Sequence, residues 1–249
     1  GLGMEPVRDA AALGATLYVP ATRDDLTAVL FGGRCRSLRS AVVCLEDSVR
    51  EDAVASAFAR LRSFLALLAN APENRPAVFI RPRSAEMLSR IVALPGVEHV
   101  QGFVLAKATA DSLPAYLAAA GDERHALMPT LESREVFDAA ELRRLRERLL
   151  DVRSRVLCLR IGGNDLLQLM GARRSTRRTA YEGPLGPVIA TLVAAFAPYG
   201  FALSAPVLEN FGDPGLLREE VEQDLEHGLL TKTAIHPAQV ATIQDCYVV

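Results

Sequence analysis

Residues 41–81 read AVVCLEDSVREDAVASAFARLRSFLALLANAPENRPAVFIR and contain one complete strand–helix–strand unit. Ala41–Leu45 and Ala77–Ile80 are short apolar runs, which are typical of strands buried on both faces of a parallel sheet. Between them, Arg50–Asn70 repeats apolar residues at steps of three and four, with charged residues on the opposite face, which predicts a helix. Two parallel strands joined by a helix are the repeating unit of α/β folds.

The same alternation continues along the whole chain. Six further apolar runs predict strands: Leu17–Pro20, Gly102–Ala106, Ala126–Thr130, Val156–Ile161, Phe201–Pro206 and Lys232–Ile235. Further helical patterns cover Asp24–Leu30, Ala85–Leu94, Asp111–Ala120, Arg134–Leu150, Pro187–Ala197 and Leu216–His227.

The number of units predicts a closed barrel. Eight strands in 249 residues match the size of a (β/α)₈ barrel. The alternative, an open doubly wound sheet, is disfavoured because the first strand is not followed by a GxGxxG motif. We therefore predict an α/β fold, a single-domain (β/α)₈ TIM barrel over residues 1–249. Residues 1–14 would form a lead-in, and residues 173–183 would form a loop after the sixth strand.

Composition excludes several classes of protein. The 28 Lys and Arg residues nearly balance the 30 Asp and Glu residues, so a nucleic-acid partner is not expected. The four cysteines form no CxxC pair, which fits a reducing compartment. With neither a signal-peptide pattern nor an apolar run long enough to span a bilayer, we expect a cytoplasmic protein without a membrane partner.

Charged side chains recur where the predicted strands end. Such positions include Arg23, Glu46, Asp47, Arg81, Arg83, Lys107, Glu132, Asp165, Glu209 and His236. In a (β/α)₈ barrel the active site lies at the carboxyl ends of the strands, so these residues would surround one cavity.

Glu132 and Asp165 follow adjacent strands and are candidate metal ligands. Mg²⁺ prefers one or two protein carboxylates together with oxygens of water and substrate. Alternatively, each carboxylate caps the helix that follows it. Gly162 and Gly163 precede Asp165 and favour the first interpretation, because glycine lets the backbone approach a ligand closely.

Arg81 is the candidate anion-binding residue. It ends the run Val78–Arg81, and Pro82 turns the chain away from a helix. A guanidinium pairs bidentately with carboxylates and keeps its charge, so it suits a keto acid or an enolate. A salt bridge from Arg81 to Glu46 or Asp47 is a second interpretation, and it does not exclude the first. Lys107 either adds positive charge or is a solvated rim residue.

Seven segments at the strand ends form a recognisable series: Leu17-Tyr-Val-Pro-Ala, Leu45-Glu-Asp-Ser-Val, Phe79-Ile-Arg-Pro-Arg, Val104-Leu-Ala-Lys, Met128-Pro-Thr-Leu-Glu, Leu159-Arg-Ile-Gly-Gly-Asn-Asp and Lys232-Thr-Ala-Ile-His-Pro-Ala-Gln. In this order they resemble the citrate lyase β-subunit-like family of the HpcH/HpaI aldolase superfamily.

The resemblance implies a (β/α)₈ barrel in which Glu132 and Asp165 bind Mg²⁺, with Mn²⁺ as an alternative ion. It implies that Arg81 binds the keto-acid or enolate oxygens, and that Glu46 and Asp47 support the site through hydrogen bonds and metal-bound water. We also expect Lys107, Gly162 and Gly163 to be substrate-binding residues.

The family also suggests a substrate and an assembly. Its members cleave or form C–C bonds in 3-hydroxy acids or their CoA esters, and they commonly form trimers or hexamers. We therefore expect a small anionic carboxylic-acid substrate and a homo-oligomer.

Three departures from the family pattern modify this expectation. Cys44 stands where the family usually has Asp, and Arg83 stands where it has Asn, so Arg83 would suit a more anionic substrate. The CoA-ester members carry a C-terminal lid, whereas this chain ends at Val249, which disfavours a CoA-ester substrate. The arginine-rich run 173–178 either contacts a second anionic group or is a solvated loop.

The sequence thus predicts a divalent-metal-dependent C–C bond lyase or aldolase that acts through an enolate. A condensing synthase or thioester hydrolase on the same site is one alternative. A non-catalytic barrel subunit is another.

Overall fold

The computed structural model describes residues 7–46, 49–121 and 124–247. Its eight strands are all parallel and follow the order β7-β6-β5-β4-β3-β2-β1-β8. They are β1 Ala15–Pro20, β2 Ser40–Cys44, β3 Ala77–Arg81, β4 Gly102–Leu105, β5 Ala126–Leu131, β6 Leu159–Ile161, β7 Leu203–Ser204 and β8 Lys232–Ala234. Ala205, just after β7, bridges Lys232 of β8 and brings the two ends of the sheet together. The predicted (β/α)₈ barrel is confirmed.

Helices alternate with the strands as the sequence predicts. They are α1 Leu26–Phe31, α2 Val54–Leu68, α3 Ala85–Ile91, α4 Leu113–Ala120, α5 Ala139–Asp151, α6 Gly163–Leu169, α7 Leu185–Phe196, α8 Pro214–Glu226 and α9 Pro237–Tyr247. None of them, within the described parts of the chain, has the length and apolar character needed to cross a bilayer.

The structure corrects one predicted helix boundary and adds the helix α6. The pattern over Arg134–Leu150 predicted one helix, but Arg134–Phe137 is a separate 3-10 turn. Asp138 has an extended backbone and its side chain accepts hydrogen bonds from the amides of Ala140 and Glu141, so it starts α5 as an N-cap. The helix α6, which begins at Gly163, was not predicted, because its apolar residues are too few to give a clear period.

Two apolar clusters form the core. The larger one lies between the strands and the surrounding helices. The smaller one fills the barrel with side chains from alternate strand positions, such as Val42, Phe79 and Val104. Ala10 and Leu13 of a short 3-10 helix join this inner cluster and close the amino-terminal end of the barrel. The charged residues that follow the strands lie at the opposite end.

Lys232 lies outside the barrel interior although it belongs to a strand. Its Nζ donates to Glu220 Oε2 at 2.9 Å and to Asp224 Oδ2 at 2.7 Å, both on α8, and all three side chains are buried. Two carboxylates thus compensate the charge of this buried cation. Lys232 joins β8 to α8 and does not take part in the cavity described next.

Candidate active site

A cavity of about 440 Å³ opens at the carboxyl ends of the strands. Its walls include most of the residues that the sequence suggested: Arg81, Glu132, Gly162, Gly163 and Asp165. The loops after β3, β5 and β6 bring them together, because parallel strands in a barrel end at the same rim. The cavity is therefore the candidate active site.

Arg81 links two carboxylates at this rim. It is buried, and its Nη2 donates to Glu132 Oε1 at 2.8 Å and to Glu46 Oε2 at 3.1 Å. Burial alone would lower the pKa of Arg81, but the negative charges of Glu132 and Glu46 raise it above its ordinary value. Arg81 is thus a fixed positive charge held in one orientation. The predicted salt bridge to Glu46 exists, and it leaves Arg81 at the cavity wall.

Lys107, two residues after β4, supports both carboxylates. Its backbone amide donates to Glu132 Oε1 at 2.9 Å, and its Nζ donates to Glu46 Oε1 at 3.0 Å. The amide reaches Glu132 because Lys107 has a left-handed backbone with φ of 49°, which is uncommon for a residue other than glycine. The side chain is 56% exposed, so Lys107 combines a rim position with a structural contact.

Glu132 is the buried acid of the site, with only 2% of its surface exposed. Burial raises its pKa, and the charges of Asp165 and Glu46 raise it further, whereas Arg81 and the Lys107 amide lower it. The net result is a pKa of about 7. Because burial is the largest of these effects, a cation bound beside Glu132 would stabilise its ionised form.

We expect Mg²⁺ to bind more weakly in acid. A carboxylate must lose its proton to bind a metal, and a pKa of about 7 means that protons compete below neutral pH. Mg²⁺ affinity at pH 6 should be about tenfold lower than at pH 8, with release of about one proton per ion at pH 6. Titration calorimetry in two buffers of different ionisation enthalpy measures both. Equal Mg²⁺ affinities at pH 6 and pH 8 would contradict the assignment of Glu132 as a metal ligand.

Asp165 lies in the first turn of α6 and is half-buried at the cavity wall. No hydrogen bond or salt bridge joins its carboxylate to any residue in the described ranges 7–46, 49–121 and 124–247. Its charge nevertheless raises the pKa of Glu132. The two acids thus influence each other across one cavity, and Asp165 does not act as a side-chain cap of α6.

Gly162 makes room for Glu132. A Cβ atom on Gly162 would lie 2.5 Å from both Cβ and Oε2 of Glu132, far inside van der Waals contact. Gly163 has a different role, since a Cβ there would lie 2.8 Å from Pro206 Cβ and 3.1 Å from Leu185 Cδ1. Gly162 therefore positions the acid, whereas Gly163 allows α6 to pack.

Substituting Ala for Gly162 is expected to displace the Glu132 carboxylate. Mg²⁺ affinity should then fall by about 10- to 100-fold, which is the usual effect of losing a residue that orients a metal ligand. The measurement is a Mg²⁺ titration. Gly215→Ala is the control, since a Cβ there meets only an ordinary contact of 3.5 Å. If both variants bind Mg²⁺ like the wild type, the close contact has no role in metal binding.

The donor set fits Mg²⁺. Glu132 and Asp165 supply hard oxygen atoms, and the cavity beside them has room for water and substrate oxygens. Within the described ranges, no group of three or more His, Cys, Asp and Glu side chains could hold a metal. Mg²⁺ commonly binds to only one or two protein carboxylates, with water and substrate oxygens at its other positions.

Some predicted residues lie elsewhere. The Arg83 guanidinium donates to the carbonyl of Val49 at 2.7 Å and does not line the cavity. His236 stacks on Phe211 with ring centroids 4.4 Å apart. In the arginine-rich run 173–178, Arg174 pairs with buried Glu220, and none of these residues lines the cavity. Asp47 lies outside the described residues.

Sequence reasoning missed several cavity residues. Arg160, Tyr18, Thr130 and Thr233 all line it. Arg160 carried a detectable signal, since it is a charged residue in the middle of an apolar run. The hydroxyl residues carried none, because threonine and tyrosine are common in strands. Cys44, noted as a departure from the family, is also buried at the cavity wall.

Comparison with known proteins agrees with this arrangement. The model of a family described as C–C bond lyases of the TIM-barrel fold matches residues 8–249. The chain belongs to this family. The resemblance to citrate lyase β-subunit-like proteins is likewise confirmed, and members of the family are enzymes.

Curated relatives match part of the chain. The (3S)-malyl-CoA thioesterases of two Cereibacter sphaeroides strains, ATCC 17029 / ATH 2.4.9 and KD131 / KCTC 12085, are each 32% identical over 158 residues. Each match covers 61% of this chain and 54% of the relative, so the chain spans about half the length of the curated relatives it matches.

Solved structures share the fold. RipC from Yersinia pestis has a TM-score of 0.73 at 21% identity, covering 97% of both chains. The citrate lyase β subunit from Mycobacterium tuberculosis, complexed with oxaloacetate and magnesium, has a TM-score of 0.67 at 20% identity, covering 95% of this chain and 97% of that chain. Identities this low support a shared barrel and nothing finer.

Proposed function

We propose that the protein is a Mg²⁺-dependent C–C bond lyase that cleaves a 3-hydroxy acid, or a related substrate derived from a keto acid, through an enolate. The observation that carries this proposal is the meeting of Glu132, Asp165 and Arg81 at one cavity wall. Two carboxylates would hold the cation, and the fixed guanidinium would lie beside the substrate oxygens.

Retro-aldol cleavage explains why such a site is useful. The hydroxyl group loses its proton, the adjacent C–C bond breaks, and its electron pair moves onto the neighbouring carbonyl to give an enolate, which then takes up a proton. A bound divalent cation would supply Lewis-acid stabilisation of that charge. The residues must therefore provide positive charge where the enolate oxygen develops.

Arg81 is suited to this role because it does not need to move. Glu46 and Glu132 already hold its guanidinium in place, and burial keeps bulk water from screening its charge. Lys107 anchors Glu46 from the solvent side. Glu46 and Lys107 would thus act as positioning residues, and Arg81 would contact the substrate.

The solved relatives support a keto-acid substrate. The M. tuberculosis proteins are complexed with oxaloacetate and magnesium in one structure and with magnesium and pyruvate in another. These ligands carry adjacent carboxylate and carbonyl oxygens, which chelate a cation through two atoms. We extend that chemistry to this chain as part of the proposal.

The direct test combines binding with product analysis. Wild-type protein is incubated with Mg²⁺ and a panel of 3-hydroxy acids and their CoA esters, and the products are followed by NMR. We expect a carbonyl product that forms only with Mg²⁺ and disappears when EDTA is added. Absence of both Mg²⁺ binding and turnover would overturn the proposal and favour a non-catalytic barrel subunit.

Thioester hydrolysis is the second candidate, and the 32% identity to (3S)-malyl-CoA thioesterases over 158 residues is compatible with it. One substrate separates the two reactions. Cleavage of malyl-CoA by a lyase gives acetyl-CoA and glyoxylate, whereas hydrolysis gives malate and free CoA thiol. A thiol-reactive dye therefore reports hydrolysis, and trapping of glyoxylate by phenylhydrazine reports the lyase.

A further inference from the structure

Arg160 is a buried cation for which no carboxylate partner is found among the described residues. It is 1% exposed and lines the cavity from β6. Its Nη2 donates to Thr233 Oγ1 at 2.9 Å, its Nη1 lies 3.6 Å from Met128 Sδ, and its Nε makes no hydrogen bond. The guanidinium also lies 5.5 Å from the centre of the Tyr18 ring.

None of these neighbours neutralises the charge. Thioether sulfur is a weak acceptor, and a threonine hydroxyl is neutral. Cys158 is also close, but burial raises the pKa of its thiol, so it stays protonated near neutral pH. The contrast with two other buried cations is direct, since Arg81 contacts two carboxylates and so does Lys232.

An uncompensated buried charge is unfavourable unless a ligand supplies the opposite charge. Arg160 is open to such a ligand because it faces the cavity. Strand register places Arg160 beside Thr130 of β5, whose Oγ1 is also buried, unpartnered within the described residues and part of the cavity wall. Both groups are hydrogen-bond donors.

The position of this pair indicates what it would bind. Thr130 precedes Glu132 by two residues, so the pair lies about 6–7 Å deeper along the strand than the candidate metal ligand. Below it, the barrel interior is apolar, with Met128 and Phe79. The cavity thus has acidic groups near the rim and a positive group at its inner end.

We propose that Arg160, assisted by Thr130, binds a second carboxylate of the substrate, so that the substrate class is dicarboxylic. This inference rests on the proposed function, in which the first carboxylate and the adjacent carbonyl lie at Glu132, Asp165 and Arg81. A guanidinium forms paired hydrogen bonds to a planar carboxylate, which suits Arg160 better than a spherical anion.

The experiment compares oxaloacetate, which has two carboxylates, with pyruvate, which has one, by calorimetry in the presence of Mg²⁺. In Arg160→Met, affinity for oxaloacetate should fall by about 10- to 100-fold, the effect of losing hydrogen bonds to a charged group, and affinity for pyruvate should stay within about threefold. Arg160→Lys keeps the charge but loses the planar guanidinium, so its affinity for oxaloacetate should lie between those of the wild type and Arg160→Met. Arg177→Met, on the exposed loop after α6, is the matched control and should change neither affinity.

Thermal melting separates ligand binding from a structural role. Arg160→Met removes an uncompensated buried charge, so its melting temperature without ligand should equal or exceed that of the wild type, while the increase caused by oxaloacetate is lost. The inference would be overturned if Arg160→Met melted at a lower temperature and bound both acids more weakly by the same factor. It would also be overturned if the affinity of this variant for oxaloacetate were unchanged. If the wild type binds neither acid with Mg²⁺, the proposed function fails and takes this inference with it.

Discussion

Replacing Glu132 by Gln should weaken Mg²⁺ binding by about 100-fold or more and remove most of the proposed lyase turnover, because the cation would lose one of the two carboxylates proposed to bind it. The variant should still fold. Gln keeps an oxygen that accepts from Arg81 and from the Lys107 amide, and burial already disfavours the charge that is removed.

The measurement is a Mg²⁺ titration beside a turnover assay, with thermal melting to confirm folding. Glu219→Gln makes the same chemical change on the exposed side of α8, next to the buried Glu220, and serves as control. Wild-type Mg²⁺ affinity in Glu132→Gln would mean that the cation binds elsewhere. It would not affect the fold assignment.

Replacing Arg81 by Met should reduce both stability and activity. Glu46 and Glu132 would lose their shared partner while remaining buried, and breaking such a buried pair from one side costs about 3–5 kcal/mol. Turnover should fall by about 10²- to 10³-fold, the range seen when one group that stabilises an oxyanion is removed. Urea denaturation gives the first quantity and steady-state kinetics give the second.

A double variant tests the reason for the stability loss. In Arg81→Met/Glu132→Gln one uncompensated carboxylate is gone, and Glu46 keeps its contact with Lys107. Its free energy of unfolding should therefore exceed that of Arg81→Met alone, which is a non-additive result. Arg60→Met, an exposed substitution on α2, controls for loss of a guanidinium in general. Equal stability of Arg81→Met and wild type would contradict the account.

The fold was largely predictable because its signal is repetitive. Eight apolar runs separated by helical patterns give many independent indications of one architecture, so an error in one element does not change the result. The errors occurred where the local signal was ambiguous. Asp138 interrupts a helical pattern by capping, and the short helix α6 has too few residues to show a period.

The candidate site was partly predictable for a similar reason. A charge after a buried strand is easily recognised, and the (β/α)₈ architecture places all strand ends at one rim, which identified Glu132, Asp165 and Arg81. The direction of each side chain was not predictable. Arg83 follows the same strand as Arg81, yet it contacts the Val49 carbonyl instead of the cavity.

The sequence by itself determined the barrel, the family and the acidic and basic residues at the carboxyl ends of the strands. The tertiary structure decided which charges compensate each other, because pairing depends on distances between residues far apart in the chain. Arg81 reaches Glu132 across 51 positions and Lys232 reaches two acids on α8, whereas no carboxylate in the described parts of the chain pairs with Arg160. Only that three-dimensional comparison shows Arg160 to be a buried cation without a carboxylate partner among the described residues, which is the observation behind its proposed role in substrate binding.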